Sequence, residues 1–232
     1  MIKDGFYGME KISLLDYEGY VVCTLFTSGC NFRCPWCHNA PLALSMVDEP
    51  MNFDEILDYL SKRKGIIDGV CITGGEPTMM PSLITYIKQI KALGLLVKLD
   101  TNGTNPQVVK TLIDEHLVDY IAMDIKSSME NYPKITNTAV IQYDRIMTTI
   151  KLLEESNIPH EFRTTLIEEF HTENDIIEIG KIVKGTKIFY LQKYVERDSC
   201  ISHGFHEIKK EKALEFKSLL EKYINKVELR GY

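Results

Sequence analysis

The stretch Tyr20-Val-Val-Cys-Thr-Leu-Phe-Thr-Ser-Gly-Cys-Asn-Phe-Arg-Cys-Pro-Trp-Cys-His-Asn39 decides how the rest of the chain is read. Its first part, Tyr20 to Phe26, is an apolar run of strand length. Gly29 then breaks the run, so a loop leaving a buried strand is expected. Cys30, Cys34 and Cys37 stand on that loop in a C-x3-C-x2-C spacing, three thiols within eight residues. Thiolates this close can turn inward on one centre, and soft sulfur ligands select iron–sulfur clusters, zinc or copper(I). A four-iron cluster usually takes four cysteines, so three local ligands would leave one iron open for chemistry. A closed zinc site needs a fourth ligand, commonly from a second paired motif. His38 directly follows Cys37, and neighbouring side chains on an extended loop diverge. Cys23, Cys71 and Cys200 are isolated. The open cluster is therefore favoured, and a zinc-stabilised binding module without catalysis is the rival from another class.

Composition bounds the rest. At 232 residues the chain suits one domain, 1–232, with a core over about 19–192 and a helix and strand over about 207–230. A hydrophobic share of 44% with 26% charged residues is that of a soluble globular chain. A net charge of −6 argues against a nucleic-acid partner. Lys209-Lys210-Glu211-Lys212 mixes signs at helical spacing, as a solvated face does. Six cysteines with one dense group make no disulfide framework, and the expected compartment is the reducing cytoplasm. The sequence shows neither a signal peptide nor a membrane-length apolar run, so no membrane partner is expected.

Strand and helix patterns alternate along the chain. Met9 onward reads as a short strand and a turn at Glu18-Gly19 before the run at Tyr20. Further strands are expected over 69–73, 95–99, 120–125, 160–166 and 187–191, with a last one over 226–229. Helices are expected over 53–63, with Asn52 as N-cap, and over 81–93, opened by Pro81 and stopped at Gly94. Others are expected over 106–115, 141–155, 174–183 and 208–223. Six strands alternating with helices predict parallel βα units with right-handed crossovers. Periodicity alone does not separate an open sheet from a curved partial barrel.

The string Gly29-Cys-Asn-Phe-Arg-Cys-Pro-Trp-Cys-His-Asn39, with Trp36 before the third cysteine, resembles the radical S-adenosylmethionine (SAM) enzymes. Among these it is similar to the activating enzymes of glycyl-radical proteins, most of all to the anaerobic ribonucleoside-triphosphate reductase activating proteins. The resemblance runs from Met9 to about Leu191. It implies an α/β fold, a partial (β/α)6 barrel of the TIM-like radical SAM type, in which chemistry sits at the C-terminal strand ends. It also implies a [4Fe–4S] cluster on Cys30, Cys34 and Cys37, and SAM bound at the open iron.

Further motifs fall at such strand ends. Thr73-Gly-Gly-Glu-Pro77 would alone be an ordinary strand-to-helix turn, with paired glycines allowing close backbone approach. By resemblance to the GGEP motif, Thr73, Gly74, Gly75 and Glu76 hold the amino group of SAM. Asp100-Thr-Asn-Gly103 is also a frequent turn, and Asp124 and Lys126 share a face and could merely pair. By resemblance, Asp100, Thr101 and Asp124 are candidate ligands of a monovalent cation beside the SAM carboxylate, Asp100 contacts SAM, and Lys126 contacts SAM or the incoming peptide. Arg163 either pairs with Glu161 or contacts SAM. Trp36 is expected near the cluster and adenine, while His171, His203 and His206 are expected at the surface.

The implied partner is a glycyl-radical enzyme, anaerobic ribonucleotide reductase being favoured, with an external flavodoxin or ferredoxin as electron donor. Pyruvate formate-lyase activases typically carry a histidine after the sixth strand, whereas this chain reads Leu191-Gln-Lys-Tyr-Val195. Pyruvate formate-lyase or another glycyl-radical partner remains an alternative, as does a small-molecule radical SAM reaction. Ser127 to Thr138 is long and polar for a barrel loop and is expected to help receive the partner peptide.

Overall fold

Eight strands form one sheet whose spatial order follows chain order in the computed structural model, which describes residues 3–232. The first strand, β1 (Phe6–Ser13), lies antiparallel on β2 (Val22–Thr27). Strands β3 (Gly69–Gly74), β4 (Leu96–Thr101), β5 (Tyr120–Asp124), β6 (His160–Leu166), β7 (Phe189–Lys193) and β8 (Val227–Arg230) then add in parallel. Consecutive parallel neighbours joined by crossovers are what right-handed βα units build. Beyond the six strands of the repeat, β8 docks on β7 where a last strand is expected over 226–229.

Curvature shows in contacts between strands that are not neighbours. Arg163 on β6 reaches Asp100 on β4, and the Tyr190 hydroxyl on β7 donates to Glu18 in the β1–β2 turn at 3.1 Å. Arg230 on β8 comes within 3.9 Å of the same Glu18. Opposite ends of a flat sheet could not meet in this way. Among the described residues β8 does not pair with β1, so the sheet is an α/β partial barrel, as expected.

Alternation sorts each strand's side chains into two sets. Leu25, Ile72, Leu99, Ile121, Phe162 and Leu191 turn outward and are fully buried beneath the helices. The covering stripes come from α2 (Phe53–Lys62), α3 (Leu83–Ala92), α4 (Pro106–Asp114), α6 (Tyr143–Glu155), α7 (Glu173–Ile182) and α8 (Lys210–Leu220). They include Ile56 and Leu60, Ile87 and Ile90, Ile150 and Leu153, and Ile176 and Ile179, at the i, i+3 and i+4 spacings of a buried helix face. The inner face instead carries Thr24, Lys98, Asp100, Asp124, Glu161 and Arg163.

Local chemistry sets the ends. Asn52 caps α2 by accepting from the Asp54 N–H at 2.9 Å, as expected. Gly94 (φ +79°) ends α3. The start of α3 moves from Pro81 to Leu83 because Pro77–Met79 first forms a 3-10 turn. A capping box between Thr172 and Asp175 opens α7.

Two readings are corrected. Ser127 to Thr138, expected as a long polar loop, contains α5 (Tyr132–Thr136), and Ser127, Tyr132, Ile135 and Thr136 are fully buried. Tyr132 and Ile135, three apart, give it a core-facing side too short to register as a periodic pattern. His171 is likewise buried, at 4% exposure, where a surface position was expected. His203 and His206 are exposed as expected.

Candidate active site

The cysteine loop leaves β2 at Thr27 and is held from several sides. Gly29 (φ +87°) turns the chain, its N–H donating to Leu42 O at 2.8 Å beside the short α1 (Ala40–Ala43). The Gly75 N–H donates to Thr27 O at 3.0 Å, and the Glu76 N–H to Gly29 O at 2.7 Å. The Arg33 N–H donates to Thr136 O at 2.8 Å, tying the loop to α5. From the far side the Ser202 N–H donates to Pro35 O at 2.7 Å, and the Ser199 hydroxyl to His38 O at 2.6 Å. A loop with so many external partners keeps its shape without a regular element of its own.

On this loop Cys34 is buried, while Cys30 and Cys37 are partly open. Burial pushes the Cys30 thiol up to about 11 and that of Cys34 to about 12, and raises Cys37 as well. The sulfur of Cys30 accepts from the Phe32 N–H at 3.4 Å and lies 3.9 Å from the Asn102 amide nitrogen. Among the described residues no three His, Cys, Asp or Glu side chains are drawn together as a preformed metal cage. The three thiols line one loop, soft donors with N–H groups turned toward sulfur, and this donor set fits an iron–sulfur cluster. The buried indole N–H of Trp36 finds no acceptor among the described residues, which also fits a ligand beside the loop.

The glycines of Thr73-Gly-Gly-Glu76 allow two segments of this chain to touch. A Cβ on Gly75 would lie 2.1 Å from Gly29 O, and one on Gly74 (φ +114°) 2.5 Å from Thr27 O. Glu76 is 1% exposed, with both carboxylate oxygens engaged by the protein. One accepts from the Thr78 N–H (3.1 Å), the Thr78 hydroxyl (2.5 Å) and the Thr101 hydroxyl (2.7 Å); the other accepts from the Asn102 N–H at 2.7 Å. Burial pushes this carboxyl up and the donors pull it back. The side chain of Glu76 therefore welds the end of β3 to the end of β4. Asn102 continues the weld, donating to Asn31 Oδ1 at 2.8 Å.

Beneath the loop lies a charged floor. Asp124 Oδ1 is 2.6 Å from Arg163 Nε, and its Oδ2 is 2.8 Å from Lys126 Nζ. Asp100 Oδ2 is 3.1 Å from Arg163, and its Oδ1 is 2.9 Å from Lys98 Nζ. Burial alone would raise both carboxyls, but Arg163 with Lys98 holds Asp100 low, and Arg163 with Lys126 holds Asp124 well below the usual range. Burial would discharge Lys126 and Arg163; the two acids outweigh it and keep both charged. The Arg163–Glu161 approach is longer, 3.9 Å, because Glu161 already pairs with Arg230 at 3.0 Å. The Lys126 ammonium lies 5.1 Å from the centroid of Trp36, linking floor and loop.

Asp100, Thr101 and Asp124, the expected cation ligands, all lie at this floor and are engaged by the protein. The Thr101 hydroxyl donates to Glu76 and accepts from the Gly103 N–H at 3.1 Å, and the acids are ion-paired within the protein. The sequence reading also missed Lys98, although its placement two residues before Asp100 in an apolar strand was a signal that the pair shares a face. A cavity of about 850 Å³ lies between the C-terminal ends of α4 and α6, lined by Asp114, His116 and Ser156, and contains none of these residues.

Three cysteines on the loop after the first parallel strand, a Gly-Gly turn pressed against it and a charged inner face below describe an enzyme of the radical SAM class. Residues 24–182 match the model of the Radical SAM superfamily, and the chain belongs to this family as a radical SAM oxidoreductase of the glycyl-radical-activase type. MJ1227 of Methanocaldococcus jannaschii, named as a proposed glycyl-radical enzyme activating enzyme, is 32% identical over 233 residues, covering 96% of this chain and 94% of that protein. The pyruvate formate-lyase-activating enzyme of Staphylococcus epidermidis is 29% identical over 205 residues, 80% of this chain and 77% of that one. Streptococcus suis SuiB bound to S-adenosylmethionine superposes with a TM-score of 0.71 over 88% of this chain and 49% of that chain. At 14% identity, that likeness is one of fold. No helix among the described residues is long and apolar enough to cross a membrane.

Proposed function

We propose that this protein generates a glycyl radical on a partner enzyme, the partner being anaerobic ribonucleoside-triphosphate reductase. The observation that supports it best is the clamp of the cysteine loop on the Gly74–Gly75 turn, directly above the Asp124–Arg163–Lys126 floor. Cys30, Cys34 and Cys37 would hold a [4Fe–4S] cluster, which when bound and reduced supplies the electron that cleaves SAM to methionine and the hydrogen-abstracting 5′-deoxyadenosyl radical. The backbone of Thr73, Gly74 and Gly75 receives the amino group of SAM. The side chain of Glu76 keeps that turn in place and does not itself meet the ligand. Lys126 and Arg163 present positive charge to the carboxylate, and Trp36 packs beside the adenine. The buried walls of the loop keep water from the radical.

Flavodoxin or ferredoxin supplies the electron, since the sequence has one dense cysteine group. The exposed residues of the α5 segment, Glu130, Lys134 and Asn137, receive the partner's glycine loop. A second reading, activation of pyruvate formate-lyase, is favoured by the Staphylococcus relative.

Anaerobic reconstitution with iron and sulfide, reduction and addition of SAM should yield 5′-deoxyadenosine from the wild type and none from Cys34→Ala. With the reductase present, a glycyl EPR doublet should appear. A doublet formed only with pyruvate formate-lyase would select the second reading. A colourless protein holding one zinc would overturn both.

A further inference from the structure

The charged floor has more cations than its acids require. Lys98, Lys126 and Arg163 stand against Asp100 and Asp124, which leaves one net positive charge among five side chains no more than 26% exposed. All four carboxylate oxygens face a protein nitrogen at 2.6–3.1 Å. A metal ion at these acids would have to displace an ammonium or the guanidinium. Lys98 is held in place at its other side too, donating to Asp16 O at 2.6 Å. Its residual 5% exposure gives it little freedom to leave. A buried lysine stays charged in such a place only when anions face it, and Asp100 does. Glu161 is paired with Arg230 at 3.0 Å.

We propose that Lys98 and Arg163 act as a tethered substitute for a bound monovalent cation, so that this site accepts a carboxylate-bearing ligand without an alkali metal ion. The inference rests on the reading of the ligand as SAM and specifies the ionic requirement of that site. Arg163 bridges the two acids; Lys98, whose ammonium lies 2.9 Å from Asp100 Oδ1 without a directed hydrogen bond to it, is a positioning residue that balances the charge of Asp100 and so leaves Lys126 and Arg163 with charge to spare for the incoming carboxylate. A tethered cation is always present, whereas an exchangeable one must be recruited from solution.

Two measurements test this on wild type and Lys98→Met, which keeps the aliphatic stem and removes the charge. Calorimetric titration of the reconstituted protein with SAM is run at equal ionic strength in sodium, potassium or tetramethylammonium chloride, the last too large for a carboxylate cage. Wild-type affinity should agree within about twofold across the three salts, while Lys98→Met should bind at least about fivefold more weakly in tetramethylammonium and recover in sodium or potassium. Loss of wild-type affinity in tetramethylammonium would overturn the proposal, whether or not the variant folds. So would a variant indifferent to the salt. The second measurement is the thermal midpoint without SAM in the same salts, unchanged for wild type and raised by the alkali ions in Lys98→Met. It judges the cation seat even if SAM fails to bind in every salt, a result that would count against the functional reading instead.

Discussion

A Cβ placed on Gly75 would stand 2.1 Å from the carbonyl oxygen of Gly29, so the turn after β3 and the loop after β2 touch at a distance that no side chain permits. The contact is backbone on backbone and cannot be relieved by moving a flexible side chain. Two strand ends are thereby fixed to each other, and the cysteines take their position from that contact. Gly75→Ala should displace the loop at a cost of about 1–3 kcal/mol, read as a lower urea midpoint, and should reduce iron incorporation on reconstitution. Gly65→Ala is the control: Gly65 has φ +83° and open space around it, so it should lose only about 1 kcal/mol and no iron. Equal iron loading in Gly75→Ala and wild type would refute the clamp.

Glu76→Gln separates a structural carboxylate from a ligand-binding one. The four donors on its two oxygens leave no place where an amide NH2 avoids a donor. The substitution should destabilise the cluster-free protein by about 1–3 kcal/mol in urea unfolding. A variant as stable as wild type, with weakened SAM binding, would show that the side chain serves the ligand.

Asp175 at the start of α7 governs the α5 segment. Its carboxylate accepts from the Thr172 N–H (2.9 Å), the Thr172 hydroxyl (2.6 Å), the Ser128 hydroxyl and the Asn131 amide (2.6 Å). Asp175→Ala should cost about 2 kcal/mol through the lost cap and the stranded donors, and should speed amide exchange over 127–138. Exchange confined to α7 would mean that the segment is anchored by Tyr132 and Ile135 alone.

His171 sets a pH dependence. Its Nε2 lies 2.9 Å from Lys126 O, and its Nδ1 lies 3.1 Å from the Ile167 N and 3.2 Å from Ile167 O; the two carbonyls, and then Asp175, favour protonation. Burial nonetheless lowers its pKa below the ordinary 6.5. The unfolded chain then takes up the proton first, so stability is full above the unfolded value and declines as pH falls below it. Unfolding free energy should fall from pH 7.5 to pH 5.5 more steeply in wild type than in His171→Gln. Nitrogen NMR should show the Nε2–H tautomer at pH 7; a charged ring there would sink the assignment.

Much of the fold was legible because it rests on local rules. The apolar run at Tyr20 to Phe26, the stop at Gly94, the cap at Asn52 and the β/α alternation all follow from periods of two and 3.6 residues and from backbone freedom at glycine. The cysteine spacing pointed to one soft-metal centre for the same reason: three thiols in eight residues share one loop whatever surrounds them.

What the tertiary structure alone decided is which groups are already satisfied. Composition and spacing place Glu76, Asp100 and Asp124 at strand ends and offer only Lys126 as a partner for Asp124. Only the register of β4, β5 and β6 brings Arg163 to both acids, and only the fold of the loop beyond β4 turns Thr101 and Asn102 onto Glu76. The antiparallel β1, the burial of His171 and the helix within 127–138 have the same origin. Each depends on neighbours distant in sequence, and the free energy of a buried polar group is set by the partner it meets there, which no local pattern records.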